Sequence, residues 1–315
     1  MDEFTRSFHP AIRPPLGALW HWRMPVITDR LRGVLYMLAA SLLFASMFAL
    51  PGIAGGSLNG LQAAFVRYVS GFITIVPVAL FAAGRGAPLT TSVWPLIAFR
   101  ALCGVGGVSC VIYATTHMAY ADALAISFAD GVFILLLAGF VLREQVSSRR
   151  WVAAAVCLAG AVIVAQPSPE LLGRVLMEPA AGVAFLGAFI MAGEVIVIKH
   201  LTHRVASSTL LLYTNGFAVA LAAGPALYMG GWPPLAELAI YGLMGPVAIA
   251  GQFLFIRSLR CADVSALVPY KYSTIIFAGL IGIVVFGQWP DMLTVVGAGL
   301  IIAAGVQLSR LEARQ

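Results

Sequence analysis

Residues 121–142 read ADALAISFADGVFILLLAGFVL, and residues 262–286 read ADVSALVPYKYSTIIFAGLIGIVVF. Both open on Ala-Asp. Both then run apolar for the roughly 20 residues that a helix needs to cross a bilayer core. Each carries one further charge eight residues past that Asp, Asp130 in the first and Lys271 in the second. Strands of a membrane barrel would alternate apolar and polar residues; these runs are continuous, so they are helices with internally satisfied backbones. The likeness extends further along the chain. Ala153, Ala155, Ala159 and Gly160 find counterparts in Gly297, Gly299, Ala303 and Ala304. The offset grows from 141 to 144 residues between the two matches, which places a small insertion between them.

Working outward, the whole chain has the same character. Of 315 residues 61% are hydrophobic and 10% charged, and the mean hydropathy is +0.95. A soluble domain carries about 25% charged residues. Ten apolar segments are expected, at 33–53, 61–83, 95–116, 121–142, 150–166, 180–199, 207–229, 235–257, 263–286 and 291–309. The junctions are short and rich in Gly and Pro, so consecutive helices are antiparallel neighbours. The longest junction, 167–179, holds Pro167, Pro169 and Pro179. It divides a first repeat, 31–166, from a second, 180–309, with tails at 1–30 and 310–315. Five spans per repeat oblige the second to enter the membrane from the opposite side. An all-α membrane protein of ten spans in two inverted repeats is therefore expected, the architecture of alternating-access carriers.

Basic residues set the orientation. With a cytoplasmic N-terminus, the cytoplasmic segments hold fifteen Lys and Arg, among them Arg85, Arg143, Arg150, Lys199, Arg257, Arg260 and Arg310, against Arg174 alone outside. Both termini are thus expected in the cytoplasm, with the chain in the cytoplasmic (inner) membrane. This placement explains the net charge of +6 without any nucleic-acid partner. Residues 1–30 lack the apolar core of a cleaved signal peptide. They read as a disordered tail with an interfacial Trp20-His21-Trp22 patch, and Met24 is a second possible start. Cys103, Cys110, Cys157 and Cys261 have no metal-ligand spacing and read as packing residues. No cofactor or metal is expected.

Ionisable groups inside a bilayer cost about 2.5–3.5 kcal/mol each on insertion scales. Asp130, Lys271, Glu194 and Arg67 are therefore the candidates for the substrate pathway or for coupling. Asp130 and Lys271 stand at equivalent depth in equivalent spans. Two arrangements fit: the pair closes on itself, or both face one cavity and bind a zwitterion. Arg67 shares a helical stripe with Ser70, Gly71 and Thr74, and two turns from the outer end it is equally placed to snorkel there. Glu194 is a candidate for taking up and releasing a proton, since burial raises a carboxylate pKa, or equally for pairing with a basic group at the cytoplasmic end. Tyr270 and Tyr272 flank Lys271 and offer rings to a planar or cationic solute. Pro269, Pro246 and Pro77 are candidate hinges. Arg100 reads as snorkelling to the cytoplasmic mouth, Asp122 and Asp263 as helix caps, and Glu144 as a partner for a nearby Arg.

Several of these stretches resemble the EamA family of the drug/metabolite transporter superfamily. They are Phe65-Val66-Arg67-Tyr68, Phe99-Arg100-Ala101, the segment from Ala121-Asp122-Ala123 through Leu142-Arg143-Glu144 to Arg149-Arg150-Trp151, and Pro269-Tyr270-Lys271-Tyr272-Ser273-Thr274 through Phe286-Gly287-Gln288. The resemblance covers residues 31–309. It implies the ten-helix fold and cargo as varied as S-adenosylmethionine, riboflavin, metallophores and amino acids. Two positions depart from the family pattern, which often has Pro at Asp130 and Glu at Gln288.

A secondary transporter of a small organic metabolite (amino-acid-like, nucleoside-derived or drug-like) is the expected function, with solute and membrane lipid as partners and proton coupling open. A channel-like permease would show a filter loop or a ring of like charges. An intramembrane enzyme would show H-E-x-x-H, G-x-S-x-G or a P-loop. None of these patterns occurs in the sequence.

Overall fold

The computed structural model describes residues 29–168 and 178–312, and the regular structure of these residues is entirely helical. The N-terminal tail with its Trp20-His21-Trp22 patch, most of the 167–179 junction including Arg174, and residues 313–315 lie outside them. The helices are α1 (Asp29–Ile53), α2 (Gly60–Ala83), α3 (Trp94–His117), α4 (Tyr120–Ser127), α5 (Asp130–Phe140), α6 (Ser148–Ala165), α7 (Pro179–Thr202), α8 (Ser207–Tyr228), α9 (Leu235–Gly242), α10 (Met244–Cys261), α11 (Val264–Lys271), α12 (Ser273–Phe286) and α13 (Met292–Glu312).

Among the described residues, ten helical stretches are long and apolar enough to cross a membrane. Three of them are broken: span four into α4 and α5, span eight into α9 and α10, span nine into α11 and α12. Proline chemistry accounts for one break directly. Pro246 has no N–H for the Gly242 carbonyl, and α9 ends at Gly242. Pro269 deprives the Ser265 carbonyl in the same way, yet α11 continues to Lys271 before it turns. Span four breaks at Phe128-Ala129 with no proline in it. Pro77 stands inside the uninterrupted α2.

The packing has two-fold regularity. Span one lies against spans eight and nine, and span six lies against their counterparts, spans three and four. Span two packs on seven, and five on ten, each pair joining equivalent helices. Two inverted five-helix repeats interlocked about an axis in the membrane plane produce this pattern. Small residues make the contacts. A methyl group on Gly160 would sit 2.6 Å from the Gly297 carbonyl oxygen where spans five and ten cross. Gly245 meets the backbone of Ser70 and Gly71 where span eight crosses span two. The outward surface is strongly apolar: Phe140 is 87% and Val284 82% exposed, as suits helices facing lipid.

Basic side chains from the ends of separate helices gather at one end of the bundle. Arg150 reaches Asp263 at 3.1 Å, Lys199 donates to the Leu259 and Ala262 carbonyls at 2.6 and 2.9 Å, and Arg260 donates to the Val205 carbonyl at 3.1 Å. At the other end Asp122 accepts from the Ser168 N–H and hydroxyl, at 2.5 and 2.7 Å. Asp291 there accepts from Thr294 and Gln166. Those hydrogen bonds, Thr294's first, hold the Asp291 carboxyl below the usual carboxylate range.

Two expectations about caps are corrected here. Neither Asp122 nor Asp263 caps its own helix; Asp122 ties span four to the end of span five, and Asp263 faces Arg150. Glu144 pairs with no arginine among the described residues. Its carboxylate accepts from the Val264 N–H and the Ser265 N–H, both at 2.9 Å, and from the Ser265 hydroxyl at 2.7 Å. A carboxylate at a helix N-terminus satisfies free N–H groups and meets the positive end of the dipole, and this one comes from the other repeat.

Candidate functional site

The two broken helices of spans four and nine cross at their breaks. Asp130 is the first residue of α5 and Lys271 the last of α11. Their side chains form an ion pair through Asp130 Oδ2 and Lys271 Nζ, half-buried at 15% and 32% exposure. Each charge stands at the helix end that favours it, the carboxylate at an N-terminus and the ammonium at a C-terminus. Of the two arrangements open to the sequence, the chain adopts the closed pair.

Tyr272 holds the crossing together. Its hydroxyl donates to the Phe128 carbonyl at 2.7 Å, a group that at the break in span four is otherwise held only by the Gly131 N–H at 3.4 Å. Its ring lies so close to Gly131 that a methyl group there would collide with it. Tyr270 points elsewhere: its hydroxyl donates to the Gly305 carbonyl of span ten at 3.1 Å. The two tyrosines thus face different neighbours. On one side of the pair an apolar crevice lined by Ile134, Val195, Leu267 and Val268 closes against Lys271.

A second polar cluster joins spans three, six, seven and eight. Arg100 is 1% exposed, so the expectation that it snorkels is wrong. Seven residues into its helix, it lies beyond easy reach of the surface and finds partners inside. Its Nε is 3.5 Å from Glu194 Oε1, and its terminal nitrogens donate to Thr214 at 2.6 Å and Gln252 at 3.3 Å. Gly104 leaves room for this cluster, since a Cβ there would lie 3.5 Å from both Glu194 oxygens and 3.3 Å from the Tyr68 hydroxyl. Arg67 stacks on the Tyr68 ring at 4.6 Å, with its buried Nε bonded to nothing among the described residues. The rest of its stripe turns inward to the backbone: Ser70 and Thr74 donate to the Val66 and Ser70 carbonyls, and Gly71 abuts Asn215. Thr214 and Gln252 carry no charge, and nothing in the sequence singles them out from other polar residues on apolar helices. No group of three His, Cys, Asp or Glu with metal-binding geometry occurs among the described residues.

A model of the EamA-like transporter family matches residues 31–166 and again 179–309. The chain belongs to this family. Among its relatives, an S-adenosylmethionine uptake transporter of Rickettsia prowazekii (strain Madrid E) is 27% identical over 257 residues, 79% of this chain and 83% of the relative. The pseudopaline exporter CntI of Pseudomonas aeruginosa (strain UCBPP-PA14) is 27% identical over 291 residues, 91% and 99% of the two chains. A riboflavin transporter of Rhizobium johnstonii is 26% identical over 322 residues, 100% of this chain and 97% of the relative. A crystal structure covering 90% of this chain and 99% of its own superposes with a TM-score of 0.75 at 20% identity, a likeness of fold.

Proposed function

We propose that this EamA-family protein is a secondary transporter. It moves a small organic metabolite across the cytoplasmic membrane by alternating access, with both termini in the cytoplasm. The observation that carries this is the Asp130–Lys271 pair, closed on itself where two equivalent broken helices cross. A pair at the centre of a pseudo-symmetric bundle is reached from either side when one repeat, 31–166, rocks against the other, 180–309. Its two charges make it complementary to a zwitterionic or amino-acid-like group, whose ammonium takes Asp130 and whose carboxylate takes Lys271. Such an exchange keeps the net charge in the membrane unchanged, so it avoids stranding a buried ion. The relatives named for S-adenosylmethionine uptake and pseudopaline export support a small-molecule cargo.

Glu194 is the proposed proton site. When it is protonated, Arg100 keeps acceptors at Thr214 and Gln252, so the guanidinium is not abandoned during the cycle. Arg67, Tyr270 and Tyr272 are proposed to shape the pathway around the two centres, with Pro269, Pro246 and Pro77 as hinges.

The test is solute flux into proteoliposomes over a panel containing S-adenosylmethionine, riboflavin, amino acids and pseudopaline. Saturable accumulation against a concentration gradient is expected for at least one solute. Asp130→Asn and Lys271→Ala should each lower that flux about tenfold or more, the equivalent of roughly 1.4 kcal/mol. Wild-type flux in both variants would remove the pair from the mechanism, and no flux for any solute under any gradient would remove the transporter.

A further inference from the structure

The two repeats do not close equally at their two ends, and the difference singles out one residue in each. At the end where basic side chains gather, α11 lies against α5. The equivalent contact at the other end, α4 against α12, is missing among the principal helix contacts. The half-helix α12 is correspondingly open, with Ser273 its one buried residue. The bundle is sealed below the Asp130–Lys271 pair at the basic end and loosely packed above it.

Glu144 stands at the seal and Gln288 stands in its place at the open end. The correspondence is carried by backbone geometry and does not depend on sequence likeness. Arg143 and Gly287 both adopt left-handed φ, 56° and 65°. The next N–H closes the same ring in each repeat, from Glu144 to the Ala138 carbonyl at 3.1 Å and from Gln288 to the Gly282 carbonyl at 3.0 Å. All three pairs are 144 residues apart, the offset of the repeat. Yet Glu144 takes three hydrogen bonds from the first turn of α11. The Gln288 side chain is exposed and donates to or accepts from none of the described residues. The first turn of α4, which it would meet by symmetry, has no side-chain cap.

We infer that Glu144 is the latch of the basic end and Gln288 its counterpart at the opposite end, each engaging the first turn of the broken helix in the other repeat when its own side closes. This rests on the alternating-access reading above. For the basic end to open, α11 must leave α5, and the Val264 and Ser265 donors must leave Glu144. For the other end to close, α4 must come to α12, which brings its uncapped N–H groups to Gln288. The two latches are unequal. Hydrogen bonds to a carboxylate are roughly twice as strong as neutral ones, and only the carboxylate gains from the helix dipole. The resting carrier is therefore biased toward the state closed at the basic, cytoplasmic end.

The test is the reactivity of single cysteines toward a membrane-impermeant maleimide, in right-side-out and inside-out vesicles, after the four native cysteines are replaced. Val268→Cys reports on the sealed half, where Val268 is 2% exposed. Ser127→Cys reports on the open half. Glu144→Gln is expected to raise labelling of Val268→Cys from the cytoplasmic side about fivefold. Gln288→Glu, at an exposed site that leaves the fold undisturbed, should raise it too and lower labelling of Ser127→Cys. The double exchange should invert the preference. Unchanged labelling in Gln288→Glu, or equal increases at both reporters in Glu144→Gln with a lowered melting temperature, would overturn the latch. Separately, a wild-type Val268→Cys that stays unlabelled from the cytoplasmic side at saturation would mean that no alternation occurs, which sinks the underlying reading as well.

Discussion

Asp130 and Lys271 are the clearest case of sequence position and tertiary contact agreeing. Equal depth in two equivalent helices made a pair one of two arrangements, and the fold adopts it. What the contact adds is the helix-end placement, and this makes a prediction. Exchanging the charges, Asp130→Lys with Lys271→Asp, keeps the pair but puts each charge at the wrong pole. A loss of about 0.3–1 kcal/mol per charge is expected, read as a lower melting temperature in detergent with the fold retained. A swapped protein as stable as the original would show that the dipoles do not matter here. Arg100 teaches the opposite lesson. Its acceptors come from spans six, seven and eight, which no local pattern announces. A double-mutant cycle on Arg100→Gln and Glu194→Gln should return a coupling of about 1–3 kcal/mol. A coupling near zero would mean that Thr214 and Gln252 alone hold the guanidinium.

At the scale of elements, the breaks decide what the helices can do. Tyr272→Phe removes the shorter of two hydrogen bonds to the Phe128 carbonyl, leaving the Gly131 N–H at 3.4 Å, and should cost about 0.5–1.5 kcal/mol, the net worth of one hydrogen bond. A change near zero would show that the Gly131 N–H alone satisfies the carbonyl. Spans five and ten cross with backbone against backbone at Gly160 and Gly297. Gly160→Ala should destabilise the protein by about 1–3 kcal/mol, because its methyl meets backbone that cannot yield as a side chain can. Thermal unfolding in micelles checks both. The break in span four lies at Phe128-Ala129, where there is no proline to mark it, so proline-based reasoning finds the break in span eight and misses this one.

For the whole molecule, the gathering of Arg150, Lys199 and Arg260 at one end is the tertiary counterpart of the charge bias along the chain. By the preference of basic loops for the cytoplasm, a fluorescent protein fused after Gln315 should fold and fluoresce, and an alkaline phosphatase fused there should be inactive. The reverse result would invert the proposed topology and exchange the sides of both latches. The same bundle is apolar over most of its outer surface, so its stability in solution should depend on the detergent chosen.

The amino-acid sequence by itself determined the spans, their number and the inverted pairing of the repeats. These follow from apolar length and charge placement, which are properties of each segment alone. It also put Asp130 and Lys271 at equal depth in equivalent spans, and the tertiary structure closed them into a pair. Only the tertiary structure decided that Arg100 is buried, that Tyr270 and Tyr272 face different partners, and that Glu144 caps a helix 120 residues away. Those outcomes depend on which neutral acceptors and free backbone groups neighbouring helices present. That information belongs to pairs of segments, and no single segment carries it.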